Sequence, residues 1–189
     1  MTERFIVFDV ETPNHENSRM CSIGITVIDD GEICDDIYYT VNPGTYFDTF
    51  NMMLTGITPE TVCHSCGFEA LWNEIGNLFS TGTLVAHNAP FDMSVLSKCI
   101  RDYGLPHPRC FEYVCTCRMA RKCFPQLQNH KLDTLCGYLG IDLSHHNAAS
   151  DSRACAELFL HMTNAGISPY DFCKSYDVLN CCTLKNSKR

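Results

Sequence analysis

A chain of 189 residues that is 45% hydrophobic and 19% charged suits one folded domain with its own core, and excludes a disordered or fibrous class. The formal net charge of −8, from 14 Lys and Arg against 22 Asp and Glu, excludes a protein that coats long nucleic acid, but not one that grips a strand end. No apolar run approaches the roughly 20 residues that span a bilayer, and MTERFIVFDVET lacks a secretory cleavage pattern, so a cytoplasmic protein with no membrane partner is expected.

Residues 4–10, RFIVFDV, form an apolar, β-prone run that ends in carboxylates, as a buried strand running up to a site would. Residues 20–28 and 33–41 read as two further strands, joined antiparallel by the hairpin signal Asp29-Asp30-Gly31. Thr58-Pro59-Glu60 opens a short helix. Phe68, Leu71, Trp72, Ile75, Leu78 and Phe79 then recur at helical spacing, which predicts a helix with one apolar face. Residues 83–86 predict a buried strand, and 91–103 a helix that Gly104 stops.

A fifth strand is expected over 111–115, short helices over 117–123 and 131–139, and a longer one over 148–162. After Gly166 the periodicity fades, and residues 166–189 are expected to form a peripheral helix and a frayed end outside a main domain of residues 1–165. Strands first in a hairpin and later alternating with helices predict an α/β fold with a mixed five-stranded sheet flanked by helices. In such folds, sites gather at the carboxyl ends of strands.

The 14 cysteines are scattered through strands and helices alike, and read as reduced thiols, mostly small core residues. Cys63-His64-Ser65-Cys66 and the run Cys110, Cys115, Cys117, Cys123 are the most metal-like fragments, but neither has the paired CxxC spacing of a zinc ribbon.

Asp9 and Glu11, two apart at the end of the first strand, share one face of it if the strand continues that far. Two carboxylates aimed together repel unless a cation lies between them; the bland alternative has Asp9 capping a turn and Glu11 in solvent. Asp92 and Asp151 each fall in the first turn of a predicted helix, where an acid commonly serves only the helix dipole. All four acids nevertheless fall at strand ends or helix starts, the side of the fold where chemistry is expected. His146 stands on the loop five residues before Asp151, and an imidazole there is suited to take a proton from water at neutral pH. His145 is its immediate neighbour, and an exposed loop histidine is the alternative for both.

Phe8-Asp9-Val10-Glu11-Thr12, the segment Ala86-His87-Asn88-Ala89-Pro90-Phe91-Asp92 and His146-Asn147-Ala148-Ala149-Ser150-Asp151, in that order, resemble the three motifs of the DEDDh exonuclease family. That family includes the proofreading epsilon subunit of bacterial DNA polymerase III, ribonuclease T and oligoribonuclease. Asn51 to Thr58 also resembles the family's segment ending in Gly-Ile-Thr, and the likeness spans residues 4 to about 162.

The resemblance implies a ribonuclease H-like fold, two Mg2+ or Mn2+ ions held by Asp9, Glu11, Asp92 and Asp151, and His146 as general base. It further implies 3′→5′ removal of nucleoside 5′-monophosphates from single-stranded DNA or RNA, DNA being favoured, with any polymerase or repair partner on another chain. Thr12, Leu54, His87, Asn88 and Phe91 are the expected substrate-binding positions, Phe91 and Leu54 by stacking on or wedging beside bases. Glu11 is followed by Thr12-Pro13-Asn14 where many members have Thr-Thr-Gly, which unsettles the backbone beside the terminal nucleotide but not the ligands. Arg118, Arg121, Lys122 and Lys131 concentrate positive charge, either for phosphates or as a solvated face. The competing function is a noncatalytic nucleic-acid or polymerase-binding module on the same fold; clustered buried carboxylates count against it.

Overall fold

The computed structural model of the chain describes residues 3–185. Seven strands form one mixed sheet in the order β3-β2-β1-β4-β5-β6-β7. β1 (Arg4–Glu11) is buried along nearly its whole length, as the apolar run predicts, and lies between antiparallel β2 (Ser22–Asp29) and parallel β4 (Thr83–Ala86). β3 (Glu32–Thr40) returns antiparallel to β2 through Asp30 and Gly31, whose φ values of 49° and 84° are those of a tight two-residue hairpin turn. β5 (Cys110–Cys115) continues the sheet parallel to β4.

The pleat of β1 divides the core in two. Ile6, Phe8 and Val10 pack with α3 (Phe68–Ile75) and α4 (Pro90–Asp102), while Phe5 and Val7 pack with α5 (Thr116–Cys123), α6 (Leu132–Leu139) and α7 (Ala148–Asn164). Asp9 and Glu11 share the parity of Phe5 and Val7, so that parity directs them toward α7. Pro90 starts α4 and Gly104, at φ 61°, follows its end. The Asn147 side chain caps α7, accepting from the Ser150 N–H at 3.1 Å.

The sheet has seven strands, not the expected five. The added pair comes from the tail, where Pro169–Phe172 form one 3-10 turn and β6 (Lys174–Asp177) and β7 (Cys182–Thr183) extend the sheet antiparallel beyond β5. The expected peripheral helix is therefore replaced by strands; the expected frayed end, 186–189, lies outside the described residues. Two further helices, α1 (Thr49–Thr55) and α2 (Pro59–Val62), cross between β3 and α3. All 14 cysteines are free, but only Cys21, Cys99, Cys115, Cys136 and Cys155 are buried, so most are not the core residues expected; among the described residues no helix is long and apolar enough to cross a membrane.

Candidate active site

β1, α4 and α7 converge on one open cleft of about 1080 Å³. Ligand oxygens of Asp9, Glu11 and Asp151 all lie within 4.8 Å of one another, and this is the one such metal-capable group among the described residues. Glycine makes that approach possible. Gly24 of β2 pairs with Asp9, and a Cβ at Gly24 would stand 2.0 Å from the carbonyl oxygen of Ala148 in the first turn of α7. Without a side chain at position 24, α7 seats directly on the sheet and carries Asp151 to the β1 carboxylates.

Asp92 reaches the same cleft from α4 but stands outside that trio. Its Oδ1 accepts from the Val10 N–H at 3.3 Å, which ties the start of α4 to the end of β1. Burial pushes all four carboxyls up from the usual range. Asp9 is raised further by Asp92, Glu11 and Asp151; Glu11 reaches about 7 through burial and then Asp151; Asp92 is raised by burial more than its backbone hydrogen bonds lower it. Asp151 is also raised, although His145 opposes the shift. Such a cluster is electrostatically unsatisfied within the protein alone.

The two histidines are not equivalent. His145 Nδ1 lies 3.2 Å from Asp151 Oδ1, and its ring stacks on His146 with centroids 4.0 Å apart. His146 holds a left-handed backbone at φ 63°, and burial followed by its neighbour His145 lowers its pKa, so that it is neutral at neutral pH. Both line the cleft.

The five expected substrate-binding positions, Thr12, Leu54, His87, Asn88 and Phe91, also line it. Leu54 and Phe91 are 39% and 38% exposed, which removes the core reading of each. Asn88 sits at φ 59° on an exposed turn. Thr12 is buried and engaged internally: its Oγ1 donates to Asn17 Oδ1 at 3.0 Å, and Asn51 Nδ2 donates to its carbonyl at 2.9 Å. His87 is engaged likewise, with Nδ1 2.9 Å from Thr116 Oγ1 and Nε2 2.9 Å from the His130 carbonyl oxygen, and burial pushes its pKa down to about 4. A carbonyl only accepts, so Nε2 carries the proton.

Sequence reasoning missed Phe50, which is 72% exposed and lines the cleft beside Leu54. The signal was available: the two stand four residues apart, one turn along a helix, but α1 has no buried face to announce itself.

The family model described as "Exonuclease", of the RNase_T type, matches residues 6–159. A "DNA polymerase III PolC-type" of Caldanaerobacter subterraneus is 32% identical over 84% of this chain and 11% of that protein. The "3′-5′ exonuclease DinG" of Bacillus subtilis is 31% identical over 85% of this chain and 18% of that protein. The chain thus spans a small part of the length of these relatives. Among solved structures, "Exonuclease X in complex with 5′ overhanging duplex DNA" shares the fold with a TM-score of 0.73 at 23% identity, over 89% of this chain and 96% of that one. With the family model matched across most of its length, the chain belongs to the ribonuclease T-type, DEDDh exonuclease family.

Proposed function

We propose that this chain is a 3′→5′ exonuclease that hydrolyses the last phosphodiester bond of a single strand, DNA in preference to RNA, and releases nucleoside 5′-monophosphates. The observation that carries the reading is the approach of Asp9, Glu11 and Asp151 within 4.8 Å. Three carboxylates with raised pKa values and no cationic side chain among them are a hard-oxygen donor set, which fits Mg2+ or Mn2+. Asp9, Glu11 and Asp151 would hold one ion, and Asp9 with Asp92 a second. When bound, such a pair stabilises both the attacking and the leaving oxygen of an in-line displacement.

The protein's own groups supply the rest. His146, neutral and free of hydrogen-bond partners for its ring within the described residues, takes the proton of the attacking water as the water oxygen bonds to phosphorus. The bond from phosphorus to the 3′ oxygen of the preceding nucleotide breaks, and that oxygen leaves to take a proton from solvent. Leu54, Phe50 and Phe91 offer apolar surface to the terminal bases, which only an unpaired strand can present. The preference for DNA is supported by the likeness to the PolC-type DNA polymerase III.

The test is a pair of single strands, one labelled at the 3′ terminal nucleotide and one at the 5′ end, incubated with magnesium. The 3′ label should appear at once as a mononucleotide and the 5′ label in a shrinking ladder, with Asp9→Ala inactive on both. Equal activity of Asp9→Ala and the unsubstituted protein would remove the reading.

A further inference from the structure

The cleft has a cationic wall as well as an acidic floor. Arg121, in the last turn of α5, and Lys131, just before α6, both line it with Asp9, Glu11 and Asp151. Neither enters an ion pair among the described residues, although the chain carries a net charge of −8. Lys122, adjacent to Arg121, is turned elsewhere: its Nζ lies 3.7 Å from Asp171 and 5.6 Å from the Phe172 ring centroid. The one carboxylate beside Lys131 in the cleft, Asp133, is engaged by the N–H and hydroxyl of Thr134 at 2.6 and 3.2 Å.

The segment between the two cations is held in place rather than loose. His87 bridges Thr116, the first residue of α5, to the His130 carbonyl, each at 2.9 Å. The His130 ring in turn reaches the Phe124 carbonyl at 3.0 Å, and the Lys131 N–H donates to Asn129 Oδ1 at 3.0 Å. Lys131 is thus fixed relative to Arg121 by contacts between side chains and backbone; its charge is felt by Asp133, but it enters no direct ion pair among the described residues. Phe50, Leu54 and Phe91, exposed and apolar, line the same cleft.

Resting on the exonuclease reading, we infer that Arg121 and Lys131 hold backbone phosphates of the strand upstream of the scissile bond, with His87 as the positioning residue that fixes Lys131. A strand lying in the cleft would set its phosphates on these two cations and its bases on the exposed apolar side chains. The wall gives preference for strands longer than a dinucleotide and a dependence on salt, since each phosphate contact releases condensed counterion.

The full-length chain is assayed with magnesium on a ten-nucleotide thymidylate strand over a range of KCl, and on thymidine 5′-(4-nitrophenyl phosphate), which has a scissile ester but no upstream phosphate. Arg121→Ala and Lys131→Ala should each lower kcat/KM on the strand about five-fold, mainly through KM. Each should also flatten the log–log salt slope by about 0.7, and reduce the strand-to-ester ratio of kcat/KM. Arg121→Lys and Lys131→Arg should keep the slope, Lys122→Ala should not change it, and His87→Gln should raise KM on the strand with little change in kcat. Unchanged slopes in both alanine variants, or equal losses on strand and ester, overturn the inference while leaving the exonuclease reading intact. Failure of the unsubstituted protein on both substrates overturns the exonuclease reading itself.

Discussion

Asp9 and Glu11 owe their common direction to strand parity. A slip of one residue in the pairing of β1 with β2 would carry both to the α3–α4 face, where Ile6, Phe8 and Val10 are buried. That much was readable from the spacing, because the strand does continue to Glu11. The roles of neighbouring imidazoles were not readable, since sequence distance does not say which ring has a partner. His145 is tied to Asp151 and His87 has both nitrogens occupied, whereas His146 retains its ring nitrogens for solvent or substrate. His146→Ala should therefore lower kcat by about 10²- to 10⁴-fold with little change in fold, and His145→Ala by less. Steady-state kinetics alongside circular dichroism measure this, and an unchanged kcat in His146→Ala would assign the proton to another group.

Among the elements, the apolar runs that became β1, β2, β4 and β5 were plain in the sequence because buried strands of a mixed sheet are continuously hydrophobic. β6 was not, because Lys-Ser-Tyr-Asp has no apolar run of its own. It is held by pairing with β5 and by side chains reaching across, Ser175 to Glu112 within β5–β6 and Tyr113 to Thr183 at 2.8 Å across to β7. Nor could the sequence show that Gly24 is the point where α7 meets the sheet, since its glycine serves close approach and not a turn. Gly24→Ala should cost roughly 1–3 kcal/mol of stability, because a Cβ must displace the Ala148 backbone. Asp151 moves with that backbone, so activity should fall even at temperatures where the variant is fully folded. Urea unfolding and kinetics on the same preparation test both parts; wild-type values for each would mean that α7 adjusts freely.

At the scale of the whole molecule, an acidic protein gathers five of its 22 acids in the cleft where a polyanion is proposed to bind; Arg121 and Lys131 line the same cleft but do not balance them, and the proposed divalent cations would supply the remaining countercharge. The folded state then carries an electrostatic penalty with a definite sign. Burial and mutual repulsion raise the carboxyl pKa values of Asp9, Glu11, Asp92 and Asp151 on folding, so between the unfolded carboxylate range and the Glu11 value of about 7 the folded protein binds more protons than the unfolded one. Stability without cations must therefore fall as pH rises through that window, by roughly 3 kcal/mol for Glu11 alone.

Thermal unfolding of the metal-free protein between about pH 5 and pH 8, with and without manganese, tests this directly. The account predicts a Tm that falls with rising pH by on the order of 5–10 °C, recovery of that loss by manganese chiefly at the upper end, and reduction of both effects in Glu11→Gln, which removes the group raised to about 7 and one of the three clustered carboxylates. A Tm indifferent to manganese and level across that range would contradict it, since the carboxylates would then have neither mutual repulsion to relieve nor a cation to share.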